Sequence, residues 1–147
     1  MSTVNAADAI RPQTPWHLWL VGILALLWNG SGALTILLAQ AGKLPDVSAD
    51  EAAYYATQPV WFVVVTDIAL FGAIAAAIAL LLRSRAAVWL FAVSLAAILV
   101  TNTYDLVASS SRALANGGAL VVTILIVVIA VLELGYARGL RKRAVLR

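Results

Sequence analysis

Cysteine is absent from this chain and histidine occurs once, as His17. The first absence excludes disulfides, thiolate metal ligands and thiol nucleophiles, and the second leaves no imidazole pair for a metal. Charge is also scarce, at 12% of residues. No nucleophile and base fall within a recognisable pattern, so no catalytic residue, metal site or cofactor is assigned and the chain reads as a non-enzyme.

What fills the sequence is apolar. Of 147 residues, 63% are hydrophobic and the mean hydropathy is +0.97. That is more apolar surface than one soluble core of this size buries, so lipid is the expected solvent and the first partner. Runs of about 20 apolar residues, the length that crosses roughly 30 Å of hydrocarbon, occur at Trp16 to Leu38, Val60 to Leu82, Ala86 to Ala108 and Ala119 to Ala137. The predicted fold is therefore all-α: a single membrane domain, an up-down four-helix bundle.

Thr14 with Pro15, and Pro59, have the character of helix starts, and Asn116-Gly117-Gly118 breaks the chain before the last span. The three-residue link Arg83-Ser84-Arg85 forces its flanking spans into an antiparallel hairpin. Residues 39–59 form an outer loop in which Ser48 and Glu51 match a capping box, predicting a short helix over Ala49 to Thr57 at the membrane surface. Ala39-Gln40-Ala41 resembles a signal-peptidase site, but the preceding run is longer than the usual signal core, and the first span is retained.

The net charge of +3 could fit nucleic acid, yet the cations gather at span ends. An amino terminus in the cytoplasm places Arg11, Arg83, Arg85, Arg138, Arg141, Lys142, Arg143 and Arg147 inside, against Lys43 and Arg112 outside. That is the positive-inside pattern of a multi-pass inner-membrane protein with residues 1–15 and the basic tail 138–147 both cytoplasmic. Trp16, Trp19, Trp89 and Tyr136 then mark the inner interface, and Trp61 and Tyr104 the outer. No nucleic-acid partner is expected.

Acids inside hydrocarbon are costly, by on the order of 3 kcal/mol or more each, and mark the first places to look for function. Depth at about 1.5 Å per residue puts Asn29, Asp67, Asn102 and Asp105 together in the outer half, with Tyr104 nearby. These five form the candidate proton or solute site. Asp67 has no cation in sight and is the acid on which a mechanism would turn. Asp105 can pair with Arg112 if its helix runs on to Ala115, and Glu133, placed near the inner end, with Arg83, Arg85 or Arg138. On the third span Ser94, Ile98, Thr101, Asn102, Asp105 and Ser109 share a polar stripe. Gly22, Ala25, Gly32 and Ala33 make a close-packing seam beside Asn29, which reads as helix glue. The second span has such a seam at Ala69, Gly72, Ala73 and Ala76, with Asp67 on roughly the opposite side. Either that helix is enclosed in its bundle, or one face meets another subunit, and a homo-oligomer or membrane partner protein is the working expectation.

Pro15-Trp16-His17-Leu18-Trp19, Gly22, Leu27-Trp28-Asn29 and Gly32-Ala33, followed by Pro59 and Trp61, resemble small four-span bacterial inner-membrane proteins commonly labelled "sugar transporter". That label has no established biochemistry behind it, so the resemblance implies membership and topology, not sugar. The group carries an Asp-Tyr pair after the Gly-Ala step where this chain has Thr35-Ile36, and no site residue transfers. Two functions remain in view: a helix-packing scaffold or accessory subunit, and a proton-coupled carrier of a small solute that works as a homo-oligomer. The tiny multidrug exporters, with an essential glutamate in their first helix, are set aside because this first helix has no acid.

Overall fold

The computed structural model describes residues 14–45, 48–108 and 117–147. Arg11, Ser109, Arg112, Ala115 and Asn116 lie outside them. The described residues form helices and no strand: α1 (His17–Gln40), α2 (Ala49–Ala56), α3 (Val60–Leu81), α4 (Ala86–Ala108) and α5 (Gly117–Lys142). All but α2 are long and apolar enough to cross a membrane.

Helix starts differ in chemistry. Pro59 is the N-cap of α3, extended as a residue before a helix should be. Thr14 does not cap α1. Trp16 occupies that position in helical geometry with no side-chain cap, and Leu18 N–H and Trp19 N–H bond Pro15 and Trp16 carbonyls in a tightened first turn. The capping box of α2 forms in full: Glu51 N–H donates to Ser48 Oγ (3.3 Å) and Ser48 N–H to Glu51 Oε2 (3.1 Å).

Helix ends share one solution. In α1, α3 and α5 the chain turns through a left-handed residue, and its own amide and the one after it bond back to the last turn, closing Schellman motifs. At α1 that residue is Gly42, which adopts φ 64° freely, whereas Arg83 (φ 59°) and Ala144 (φ 53°) do so against the clash of a Cβ.

The turn at Ala144 sends the chain back onto the bundle. Arg147 N–H donates to Arg83 O (2.7 Å) and Arg85 N–H to Arg147 O (3.0 Å), so residues 143–147 are strapped to the α3–α4 turn. Val145 and Leu146 lie in the core, Leu146 only 1% exposed. The basic tail expected over 138–147 is thus helical to Lys142 and folds back beyond it. Arg138 does not end the last helix, because a surface arginine is a good helix former and extends its charge away from the apolar face.

The bundle centres on the α3–α4 hairpin, with α1 packed on α3 and α5 on α4. Small residues set these approaches: Ala69, Ala73, Ala76 and Ala77 of α3 are buried, as are Gly22, Ala25 and Ala33 of α1. A methyl group at Gly22 would collide with the Leu81 side chain. Because α1 and α4 flank α3, the two demanding faces of that helix both find contact within one chain. The continuous apolar core lies at the basic end, around Leu18, Leu80, Phe91, Leu134, Leu140 and Leu146.

This packing yields a stability prediction. Leu146→Ala should cost about 2–4 kcal/mol of unfolding free energy in mild detergent, while Leu27→Ala, at a site 65% exposed, should cost far less. Ala144→Gly should raise stability by up to about 1 kcal/mol by relieving the left-handed Cβ clash. Denaturant titration of the three variants checks all three signs.

Candidate functional site

The polar residues of the bundle are drawn into separate pairs, each joining two elements. Asn29, midway along α1, donates through Nδ2 to Glu133 Oε1 of α5 (2.9 Å) and to its own helix at Ala25 O (2.8 Å). Gln40, at the far end of α1, donates through Nε2 to Asp67 Oδ1 of α3 (3.2 Å). Tyr54 of α2 donates its hydroxyl to Asp105 Oδ1 of α4 (2.5 Å). His17 Nδ1 and Tyr136 Oη, 2.5 Å apart, join α1 to α5 at the basic end.

Among the described residues no hydrogen bond joins any two of Asn29, Asp67, Asn102, Asp105 and Tyr104, the expected outer cluster. Asn29 turns to Glu133. Tyr104 packs edge-on against Trp61, with ring centroids 4.8 Å apart, and against Phe62 at 5.3 Å. The Nδ2 of Asn102 and the Oγ1 of Thr66 are enclosed without a hydrogen-bond partner. In the α4 stripe Ser94 donates across the hairpin to Ala69 O (2.7 Å), and Thr101 bonds back to carbonyls of its own helix.

Glu133 is also corrected. With α5 running to Lys142, it sits about 13 Å from that helix end at 1.5 Å per residue, well inside the bundle and only 8% exposed. Two of the three arginines expected to pair with it act elsewhere: Arg83 Nε donates to Val145 O (3.2 Å) and Arg85 Nε to Leu146 O (3.4 Å). The Asp105–Arg112 pair falls outside the described residues, and Asp105 here takes a tyrosine.

Beside Glu133 is a crevice lined from all four long helices, by Trp28 and Asn29 of α1, Ala73 of α3, Ser94 and Ile98 of α4 and Ile129 of α5 among others. Its room for a water's centre is ≈ 20 Å³, enough for about one water molecule. The geometry is that of a buried carboxyl held by a neutral amide next to a water-sized space. Sequence periodicity assigned Asn29 its seam correctly. It missed Gln40, which reads as an ordinary span end until α3 is placed against it.

The α2 pair lies outside the spans on its tyrosine side. Burial, reinforced by the Asp105 carboxylate, pushes the Tyr54 phenol above the ordinary tyrosine range. The Ser48 hydroxyl and amide hold Glu51 below the ordinary glutamate range.

In a double-mutant cycle of Asn29→Leu and Glu133→Leu the coupling should be about 0.6–2 kcal/mol favourable, and a value near zero would mean the bond contributes nothing to assembly. Docking of α2, measured by protease protection of residues 49–57, should be intact below the unfolded tyrosine pKa near 10.0 and weaken as pH rises through the raised folded value. Tyr54→Phe should remove that alkaline dependence and loosen α2 at every pH. Among known proteins, no family, curated sequence or solved structure matches this chain.

Proposed function

We propose that this chain is a multi-pass inner-membrane protein with both ends cytoplasmic, acting as a helix-packing scaffold or accessory subunit for a membrane partner or a second copy of itself. The membrane assignment rests on the four long apolar helices and on the large side chains they turn outward, among them Leu24, Leu27, Leu34, Ile124 and Leu132. Its orientation rests on charge: Arg83, Arg85, Arg138, Arg141, Lys142, Arg143 and Arg147 gather at one end, where Trp16 and Trp89 are 76% and 70% exposed. The likeness of the first span to the proteins labelled sugar transporters lends the same setting and no substrate. Lipid is the medium, and nucleic acid has no place in the reading.

One observation carries the scaffold reading. Asp67, Asp105 and Glu133 each meet a neutral side chain on a different element, so the acids tie helices together. A carrier of a small solute is the second reading, in which the buried Glu133, beside a water-sized space, takes the place of Asp67 as the acid of interest.

The test is native mass measurement after extraction into lipid nanodiscs directly from the membrane. The scaffold reading expects a particle larger than the 15.5 kDa chain, from a second copy or a stoichiometric integral partner. It also expects the complex to survive joint Asp67→Asn, Asp105→Asn and Glu133→Gln replacement, because amides still bridge helices. A lone chain overturns it. Loss of the complex at unchanged thermal stability would show that the acids act through charge and would favour the carrier.

A further inference from the structure

Part of the charge at the basic end is fixed in place, which orientation in a membrane does not by itself require. Residues 143–147 fold back onto the α3–α4 turn through Arg147 N–H to Arg83 O (2.7 Å) and Arg85 N–H to Arg147 O (3.0 Å). The same strap holds two guanidinium groups by their Nε, Arg83 on Val145 O (3.2 Å) and Arg85 on Leu146 O (3.4 Å). The strap is anchored in its turn by the buried Val145 and Leu146 side chains. Arg83, Arg85 and Arg147 are thus gathered on one turn. A guanidinium bonded through Nε still has its Nη donors for another acceptor.

Little at that end offsets these charges. Among the described residues Glu133 lies inside the bundle on Asn29, and Asp67 and Asp105 are bonded to Gln40 and Tyr54 towards the other end. Even with the carboxylate of Arg147 counted, the turn and strap carry a net positive charge, to which the exposed Arg143 adds. Within them Arg83 Nη2 is enclosed without a hydrogen-bond partner, a costly position for a cation until an anion comes near. Arg85 and Arg147 are exposed. Beside the cations the surface turns apolar: Leu82, next to Arg83, is 75% exposed, and Trp89, four residues on from Arg85, is 70% exposed. Val93 continues the Trp89 face one turn further along α4. A soluble anion has no use for that rim, whereas a phospholipid presents a phosphate and then acyl chains in the same order.

We propose that the α3–α4 turn and the strap form a binding site for one anionic phospholipid of the leaflet at the basic end. Its phosphate meets Arg85 and Arg147 beside the fixed charge of Arg83, and its acyl chains lie along Leu82, Trp89 and Val93. This rests on the membrane reading of the four long helices and not on the scaffold reading. Guanidinium N–H groups donate charge-assisted hydrogen bonds to phosphate oxygens. Because the strap already orders Arg83 and Arg85, less side-chain freedom is lost on binding than with free surface arginines. The linkage runs both ways: a lipid bound only to the strapped form stabilises that form.

The full chain in mild detergent is titrated with phosphatidylglycerol, and with phosphatidylcholine as the neutral control, reading thermal stability and, by native mass spectrometry, retained lipid. Phosphatidylglycerol should raise the Tm saturably and stay bound as a single molecule, and phosphatidylcholine should do neither. Arg83→Gln with Arg85→Gln should weaken the apparent affinity about tenfold or more. Arg141→Gln with Lys142→Gln, which removes the same charge from the end of α5, should weaken it about threefold or less. Leu146→Ala, which loosens the strap and removes no charge, should also weaken it. Equal losses from the two charge pairs overturn the site in favour of diffuse attraction, and wild-type affinity in Leu146→Ala overturns the part given to the strap. Equal stabilisation by inorganic phosphate or by an RNA oligonucleotide overturns the assignment to lipid. If the Arg83→Gln, Arg85→Gln protein fails to fold, Arg85→Gln against Arg141→Gln decides by the same comparison. Recovery of the chain from cells without detergent overturns the membrane reading itself, whereas unspecific binding by a detergent-dependent chain overturns the site alone.

Discussion

The constraint on which this bundle depends is that a polar group carried into an apolar interior must find its partner on another helix. Lipid offers no hydrogen bonds, and each helix already uses its own amides and carbonyls. Two of the cations that could have met Glu133 are committed elsewhere. Arg83 and Arg85 are held at the basic end by the carbonyls of Val145 and Leu146. The acids are left to amides and a phenol: Asn29, Gln40 and Tyr54. Each such bond fixes a neighbour. The Gln40 bond holds the far end of α1 on α3, the Asn29 bond ties its middle to α5, and the Tyr54 bond holds α2 over the outer end of α4.

Packing and polarity divide the molecule between two ends. At the basic end alanines let α3 and α4 approach closely, and Leu80, Leu140 and Leu146 fill the remaining space. The strap of residues 143–147 belongs to this end and explains why two non-glycine residues tolerate left-handed geometry. Ala144 must turn the chain back for Leu146 to be buried, and Arg83 must turn to present the carbonyl that Arg147 N–H bonds. Local strain of about 1–2 kcal/mol per such residue is offset by burying Val145 and Leu146. Enclosed atoms without a hydrogen-bond partner occur toward both ends, Arg83 Nη2 at the basic end and Thr66 Oγ1 and Asn102 Nδ2 toward the other.

Much of the fold was legible because its signals are local. Hydropathy located the long helices, three residues between spans dictated the hairpin, and Ser48 with Glu51 announced α2. The seam of Gly22, Ala25 and Ala33 was readable from spacing, since 100° per residue assigns a face without any knowledge of neighbours. What spacing cannot supply is which helix that face meets. Placing Asn29 with Asp67 assumed that groups at similar depth converge, whereas Asn29 bonds α5 and Gln40, farther along the same helix, bonds Asp67 of α3. The depth of Glu133 was misjudged for another reason. Ending the helix at Arg138 treated the first charge as the boundary, but the long arginine side chain reaches outward while its backbone stays helical to Lys142.

The choice of asparagine as the partner of Glu133 follows from the same physics. An arginine at position 29 would bond the carboxylate strongly and hold it charged, and a leucine would leave it without a donor. An amide carries both a donor and an acceptor, so it can bond either form of the acid with little movement. Asn29 Nδ2 is also anchored to Ala25 O, which keeps the amide pointed at α5 whichever form is present. A neutral partner therefore closes the α1–α5 seam without deciding the charge of the group inside it.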